Sequence, residues 1–265
     1  MIGPWARAFA AILLRETLRF VQQRGRFLSS LVRPLVWLFV FAAGLRAVMT
    51  VPAMAPYVAS VPYEVYVLPG LAAMVQLFNG MQSSLSMVYD QEMGSMRVLL
   101  VSPRPRWFLL ACKLMAGTLV SILQVLAFLA LAALAGVSVP VIGFLTVLPA
   151  LVLTGLLCGA AGLFLSATVR QLENFAGVMN FVIFPCFFAS TALYPLSRIA
   201  EGGSWLVHVA AWNPFSHAVE LVRFALYGEV AWGSLGIVLL ASAAFFAAAV
   251  VAFDPARGNA SKRGN

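Results

Sequence analysis

Residues 89–103 read YDQEMGSMRVLLVSP, a compact charged segment that separates two long apolar stretches at 64–87 and 107–135. Each stretch exceeds the ~20 helical residues needed to cross a hydrocarbon core of roughly 30 Å. Of the 265 residues, 62% are hydrophobic and 10% are charged, and the mean hydropathy is +0.95. A soluble domain of this length needs far more charge to cover its surface. The sequence therefore predicts an all-α membrane protein.

Further apolar stretches extend this pattern to six predicted transmembrane helices in a single domain, 1–265. A tight turn at Gly136 and Pro140 joins the third span to the fourth. The segment 193–230 is too apolar for a solvated loop, and we expect short re-entrant helices there at the outer membrane face. The predicted spans lie near 31–49, 64–87, 107–135, 141–168, 175–192 and 232–252.

The basic residues predict the orientation of these spans. With both termini in the cytoplasm, only Arg46, Arg198 and Arg223 of the 17 basic residues fall outside. This is a strong positive-inside bias. Contacts with anionic lipid headgroups then explain the net charge of +8, and we expect no nucleic-acid partner. The cytoplasmic set is Arg7, Arg15, Arg19, Arg24, Arg26, Arg33, Arg97, Arg104, Arg106, Lys113, Arg170, Arg257, Lys262 and Arg263.

Residues 1–30 precede the first span and predict a helix that lies along the inner membrane surface. Arg15, Arg19, Gln22 and Arg26 recur at helical spacing and form one basic stripe beside apolar residues. Two interpretations of this helix stay open. It is either a lipid anchor only, or it also contacts a cytoplasmic partner.

The connector at 89–103 has the pattern of a short amphipathic helix. Asp90 is expected at its N-terminus, where a carboxylate is favourable, and Pro103 ends it. A rigid helix between two spans transmits a displacement, whereas a flexible loop does not. On these residues alone, an ordinary charged loop remains an alternative. The polar face carries Asp90, Gly94 and Arg97, and the apolar face carries Met93, Met96 and Leu100.

The sequence offers no nucleotide site and no metal site of its own. Its two lysines follow Cys112 and Ser261, so a G-x-x-x-x-G-K-[ST] loop is missing. The three cysteines are isolated, and the two histidines lack the spacing of metal ligands. We therefore expect no metal and no cofactor in this chain. If ATP drives the protein, a separate subunit binds it.

Three patches of sequence resemble the type-2 ABC exporter permeases. Residues 89–103 are similar to the family signature D-R-E-x-G-x-x-x-x-L-L-x-x-P, with Gln91 where many members carry arginine. The YVLPGL run at 66–71 looks like the Pro-Gly-Leu start of the second span. The LYPL run at 193–196 and the WNPF run at 212–215 resemble the outer segment before the last span. With the six-span layout, the resemblance covers nearly the whole chain.

The resemblance implies a homodimer, or a dimer of similar subunits, in a bacterial inner (plasma) membrane, docked on two ATPase subunits that bind ATP and Mg²⁺. In such permeases the connector is the coupling helix, and the N-terminal helix also meets the ATPase. Transport would follow alternating access or a lateral path, biased by closure of the ATPase dimer. The implied coupling residues are Asp90, Glu92, Gly94, Arg97, Leu99 and Leu100, together with Arg15 and Arg19.

Export is implied rather than import, because the chain lacks the EAA-type coupling loop of importer permeases. The runs at 77–84 and 171–181 also resemble a subgroup associated with quinoprotein alcohol oxidation in bacteria. We expect an apolar or amphipathic cargo. Two other functional classes stay open: a non-enzymatic assembly or anchoring factor, and an intramembrane enzyme, for which the clustered acids or nucleophiles are missing.

Polar residues inside the predicted spans are candidates for lining a substrate path. Amides at this depth are unfavourable unless they are paired or face a cavity. They also join neighbouring helices in many membrane proteins, so helix packing is the alternative. The small residues Gly155, Gly159 and Gly162 favour close helix packing. The candidate path residues are Gln76, Asn79, Gln82 and Asn180.

His217, Glu220 and Arg223 follow one another at intervals of three in the outer segment. Glu220 and Arg223 have the spacing of a helical ion pair. The sequence leaves two roles open for these three residues, a structural pair or an outer gate.

Overall fold

The computed structural model describes residues 24–45, 50–92, 105–169 and 172–253, together with 5, 9–11, 13, 14 and 18. Helices dominate, and the only β-structure in these ranges lies between residues 50 and 62. The described part of the chain is therefore predominantly helical.

Ten helices, numbered here along the chain, make up the described ranges. Helix α1 runs over Arg24–Val36, continues as a π-helix over Trp37–Ala42, and ends with Ala43–Leu45. The others are α2 Tyr63–Glu92, α3 Arg106–Leu134, α4 Gly143–Thr146, α5 Leu148–Thr168, α6 Leu172–Phe188, α7 Leu196–Gly202, α8 Ser204–Trp212, α9 Pro214–Leu226 and α10 Trp232–Ala252.

Three stretches among the described residues are long and apolar enough to cross a membrane: Arg106–Leu134, Gly143–Thr168 and Trp232–Ala252. Shorter apolar helical stretches cover Ser30–Val40 and Asn174–Phe188. Helix α2 has 30 residues, which corresponds to about 45 Å, but it is more polar than the three long stretches.

Helix α2 is the centre of the molecule, because α1, α3, α5, α6 and α9 all pack against it. Its contact with α5 is close because glycines face each other. A Cβ added to Gly162 would lie 2.6 Å from the Gly80 carbonyl oxygen, and one added to Gly80 would lie 2.6 Å from the Cys158 carbonyl carbon. The packing role predicted for the small residues of the fourth span is confirmed.

A β-hairpin and three short helices lie at the ends of the long helices that are remote from the connector. Strands β1 Thr50–Val51 and β2 Val61–Pro62 pair antiparallel, with Thr50 opposite Pro62. Helices α7, α8 and α9 occupy the segment between α6 and α10. The turn after α3 contains Gly136 with φ +91°, so the predicted turn at this residue is confirmed.

The start of the connector differs from the expectation. Asp90 and Glu92 belong to the last turn of α2, so the predicted position of Asp90 at the N-terminus of a separate helix is wrong. An uninterrupted 3.6-residue helix carries the second span into the charged segment. The coupling residues Gly94, Arg97, Leu99 and Leu100, and also Arg15 and Arg19, lie outside the described residues.

Candidate functional site

Two groups of polar residues lie among the apolar helices, one near the middle of α2 and one, the outer group, at its N-terminal end, which the sequence predicts to face outward. In the middle group, Gln76 is completely buried. Its Nε2 donates to the Leu151 carbonyl oxygen at 2.7 Å and lies 3.4 Å from the Ser121 hydroxyl. This amide therefore joins α2 to both α3 and α5.

A second amide contact links three helices one turn further along α2. Asn79 Nδ2 donates to Gln124 Oε1 of α3, and Gln124 Nε2 donates to the Ser30 hydroxyl of α1 at 2.7 Å. Gln124 is 1% exposed. Such interhelical hydrogen bonds hold neighbouring spans together, typically at about 0.6–2 kcal/mol each.

The other two candidate path residues have different surroundings. Gln82 is half-buried on α2, and Asn180 is exposed on α6. The structure therefore does not bring Gln76, Asn79, Gln82 and Asn180 together around one cavity. Their role in lining a path stays a prediction, and Asn180 is the member whose amide faces away from the helix core.

Arg33 lies beside an aromatic cluster rather than at the inner end of the first span, where its sequence position places it. Its guanidinium carbon is 3.8 Å from the centre of the Phe78 ring, near the middle of α2. The Phe78 ring also contacts Phe184, which stacks with Phe188. Trp37 of α1 contacts Phe188 as well. We call Trp37, Phe78, Phe184 and Phe188 the aromatic face.

The outer group is centred on Arg223, which is 2% exposed. Its Nη2 donates to the Thr191 carbonyl oxygen at 2.7 Å, and its guanidinium carbon lies 4.3 Å from the centre of the Tyr66 ring. The Tyr66 hydroxyl donates to the same carbonyl at 3.0 Å. Thr191 in turn bonds to Ser216 of α9. These contacts join α2, the turn after α6, and α9.

The outer loop closes over this group. Tyr57, in the loop between β1 and β2, packs against Tyr66 and Tyr227 with ring centres 6.3 and 5.2 Å apart. Burial raises the pKa of the Tyr57 phenol, and the nearby Arg223 acts in the opposite direction. A buried phenol with a raised pKa stays neutral, so Arg223 is not neutralised by Tyr57.

Glu220 and Arg223 do not form the ion pair that their spacing suggests. The Ser234 hydroxyl of α10 donates to Glu220 Oε2 at 3.1 Å. His217 Nδ1 lies 3.2 Å from the same hydroxyl, and its Nε2 lies 2.9 Å from the Ala211 carbonyl oxygen. The three candidate gate residues therefore divide between two neighbours: Arg223 faces α2, whereas His217 and Glu220 face α10.

Two of the sequence patches, the YVLPGL run and the WNPF run, form close contacts between helices and turns. A Cβ added to Gly70 would lie 2.7 Å from the Ala192 Cα, so the Pro-Gly-Leu run lets α2 approach the turn after α6. Asn213 accepts from the Phe215 amide at the start of α9. Its Nδ2 donates to the carbonyl oxygens of Cys186 and Ala189. The WNPF run therefore attaches α9 to the end of α6.

Several residues of these clusters had no signal in the sequence. Tyr66, Thr191 and Ser30 are common types in apolar surroundings, and only their contacts across long stretches of chain mark them. No group of three His, Cys, Asp or Glu side chains that could hold a metal occurs in the ranges that the structure describes.

Comparison with known proteins gives a consistent result. The family described as ABC-2 type transporter matches residues 7–227. The putative transport permease ycf38 of Cyanophora paradoxa is 27% identical over 222 residues, which cover 80% of this chain and 72% of that protein. The probable multidrug ABC transporter permease YbhR of Escherichia coli K12 is 27% identical over 204 residues, 74% of this chain and 54% of the relative.

Proposed function

Since the chain belongs to the ABC-2 type transporter family, we propose that it is the permease subunit of an exporter driven by ATP hydrolysis on a separate subunit. In this proposal the chain has no catalytic site. It forms the membrane part of the complex, in a bacterial inner membrane, as a homodimer or a dimer of similar subunits.

The observation that carries this proposal is the continuity of α2. This helix runs without interruption from the outer β-hairpin to Glu92 in the charged connector. It contacts α1, α3, α5, α6 and α9, and its amides and glycines attach it closely to α3 and α5. A displacement of the connector by an ATPase would therefore move the helix around which the whole domain is packed.

The N-terminal segment supports a common docking surface. The Trp5 ring lies 4.9 Å from the Phe108 ring, close to the start of α3, in an edge-to-face contact. Phe108 lies five residues after the end of the connector at Pro103. Trp5 and the start of α3 are thus neighbours, and a single ATPase subunit that contacts the connector can also contact the N-terminal segment.

The relatives support transport as the activity. One is named a transport permease and another a multidrug ABC transporter permease. We infer an apolar or amphipathic cargo, because the described helices contain no acidic cluster that would bind a cationic one. The direction of transport and the cytoplasmic position of both termini belong to the same proposal and rest on the family resemblance and the positive-inside bias.

The proposal is tested by crosslinking from the end of α2 in native membranes. Glu92 is replaced by cysteine in a chain whose three native cysteines are changed to alanine, and a photoactivatable crosslinker is attached there. We expect capture of a protein that a photoreactive ATP analogue also labels. The matched control is Ser60→Cys, an exposed position in the hairpin loop on the opposite side of the membrane.

Capture of an ATP-binding protein from position 92 but not from position 60 supports the permease function. Capture of ATP-independent proteins only, with no ATPase in the purified complex, would instead identify an assembly or anchoring factor. Activity of the isolated chain on a membrane substrate would favour an intramembrane enzyme.

A further inference from the structure

Arg33 places a positive charge beside the middle of α2, the second predicted span. Helix α2 is about 45 Å long, and Phe78 lies about 22 Å from either of its ends. Any 30 Å segment of such a helix that spans the core of the bilayer includes this midpoint. Because the guanidinium of Arg33 lies 3.8 Å from the Phe78 ring, the cation is held at the same depth.

This cation is exposed on the surface of the chain. Arg33 is exposed, and so are its neighbours Val32 and Val36, at 56% and 50%. Its contact with Phe78 covers one side of the guanidinium, and within the described ranges it forms no ion pair. A charged side chain at this depth is strongly unfavourable against lipid tails, and such residues mark pathways for polar groups.

The described helices of a second copy offer no carboxylate at the depth of Arg33. Glu64 and Glu92 lie at the two ends of α2, Glu173 lies at the start of α6, and Glu220 is bound to Ser234 near the start of α10. No acidic residue of the described helices lies near the middle of a long helix. Among the described helices no carboxylate is therefore placed to pair with Arg33, and a molecule dissolved in the membrane can supply the counter-charge.

The surroundings of Arg33 suit the apolar part of such a molecule. Phe184 and Phe188 of the aromatic face are 45% and 49% exposed. Asn180 is exposed one helical turn before Phe184, and it adds an amide donor to the same side of α6. Helices α1 and α6 both contact α2, and Arg33 and Phe184 both contact Phe78, so the cation and these rings lie around the same part of α2.

We propose that Arg33 and the aromatic face bind an anionic amphiphile, whose carboxylate or phosphate pairs with the guanidinium and whose apolar part lies on the rings. Arg presents several N–H donors in a planar arrangement that fits a carboxylate or phosphate. The identification of this anion with the exported molecule rests on the proposed function, whereas the binding site itself does not.

The test measures binding of two probes to the purified chain in phosphatidylcholine nanodiscs. The probes are doxyl-labelled stearate at alkaline pH, which is anionic, and its methyl ester, which is neutral and has the same chain. Electron paramagnetic resonance reports the motionally restricted fraction of each. We expect the wild type to prefer stearate by about tenfold, as a charge-assisted hydrogen-bonded pair gives.

Three variants and one control make the test specific. Arg33→Gln should remove the preference, Arg33→Lys should keep most of it, and Phe78→Leu should weaken it by releasing the guanidinium. Arg198→Gln removes the same charge from the exposed outer helix α7 and should leave the preference unchanged. Equal binding of both probes to the wild type, or an unchanged preference in Arg33→Gln, would overturn the proposal.

Addition of phosphatidylglycerol separates the two sources of the anion. Loss of the stearate preference would assign the site to membrane phospholipid headgroups, and persistence would assign it to a free amphiphile such as a cargo. Neither arm needs an ATPase or transport. The binding experiment can therefore disprove the anion site without disproving the permease function. In the same way, the crosslinking experiment can disprove the permease function without disproving the anion site.

Discussion

Arg223 shows how a single cation is held inside this protein without an ion pair. Its neighbours include the Thr191 carbonyl oxygen, the face of the Tyr66 ring and the Tyr57 phenol, and its Nε has no hydrogen-bond partner among the described residues. Thr191 also accepts from the Tyr66 hydroxyl, so the carbonyl has two donors. Removal of either donor leaves the other in place.

We therefore predict non-additive effects on stability at these two positions. Arg223→Met should change stability little or increase it, because it removes a buried charge and Tyr66 still satisfies the Thr191 carbonyl. Tyr66→Phe should cost about 0.5–1.5 kcal/mol, the usual value of one hydrogen bond. The double variant should cost about 1–3 kcal/mol beyond the sum of the single effects, because the buried carbonyl loses both donors.

Unfolding in mixed micelles, followed by circular dichroism, measures these three values. Additive effects would show that the two donors do not share the carbonyl. A fall in ATPase activity of the complex in Arg223→Met, at unchanged stability, would support the gate role predicted for this residue.

Near the middle of α2, the contribution of the buried amide network to stability can be measured in the same way. Gln124→Leu should destabilise the protein by about 0.6–2 kcal/mol, because Asn79 and Ser30 both lose their partner. Asn180→Leu is the matched control, since that amide is exposed and the change should leave stability unaltered. The melting temperature of the purified chain in detergent gives both values.

The same pair of variants separates packing from transport. If Asn180 lines a path, Asn180→Leu should change the ATPase activity that cargo stimulates, without a change in melting temperature. Equal activity in Asn180→Leu and wild type would contradict the path assignment for this residue.

At the scale of the elements, the contact between α2 and α5 depends on glycines that face each other's backbones. Gly162→Ala should prevent normal packing, because its Cβ would lie 2.6 Å from the Gly80 carbonyl oxygen, which belongs to a helix and cannot move aside. Alanine is the better helix former, so propensity alone predicts the opposite sign.

Gly236→Ala on α10 is the comparison, because nothing lies within 4 Å of its added Cβ. We expect Gly162→Ala to lower the yield of monodisperse protein and its melting temperature by several degrees, and Gly236→Ala to preserve or raise both. Size-exclusion chromatography and thermal unfolding provide the measurements. A Gly162→Ala protein as stable as wild type would show that the two helices separate at low cost.

At the scale of the whole molecule, the orientation follows from the distribution of basic residues and is open to a direct test. In the cysteine-free background, Ser60→Cys should react with a membrane-impermeant maleimide added to intact cells. Glu92→Cys should react only after the cells are opened. Labelling of position 92 from outside would reverse the topology and remove the connector from any cytoplasmic ATPase.

Many of the helices and turns could be predicted from the sequence, because apolar spans and turns depend on the local residue types. The long apolar stretches of α3, α5 and α10 and the turn at Gly136 agree with the expectation. The start of the connector was not predicted correctly from the sequence. Charged residues suggested a new helix at Asp90, but the backbone continues α2 to Glu92, since helical hydrogen bonds do not require an apolar side chain.

The contacts of the candidate site residues could not be predicted from local sequence patterns. The spacing of Glu220 and Arg223 permits a pair on one helix, yet each side chain finds a better partner on a different neighbour. Gln76 and Asn79 were recognisable as polar residues at membrane depth. Whether such an amide faces a path or a neighbouring helix depends on which helix packs against it, and no local pattern contains that information.

The sequence by itself determined that this chain is a helical membrane protein with a charged connector between two apolar stretches, because hydropathy and charge act residue by residue. Only the tertiary structure decided that Arg33 lies against Phe78 near the middle of α2 and that Arg223 is enclosed by Tyr66 and Thr191. Depth and enclosure are set by the way helices distant in sequence pack together, and the energy of a charge in a membrane depends on both.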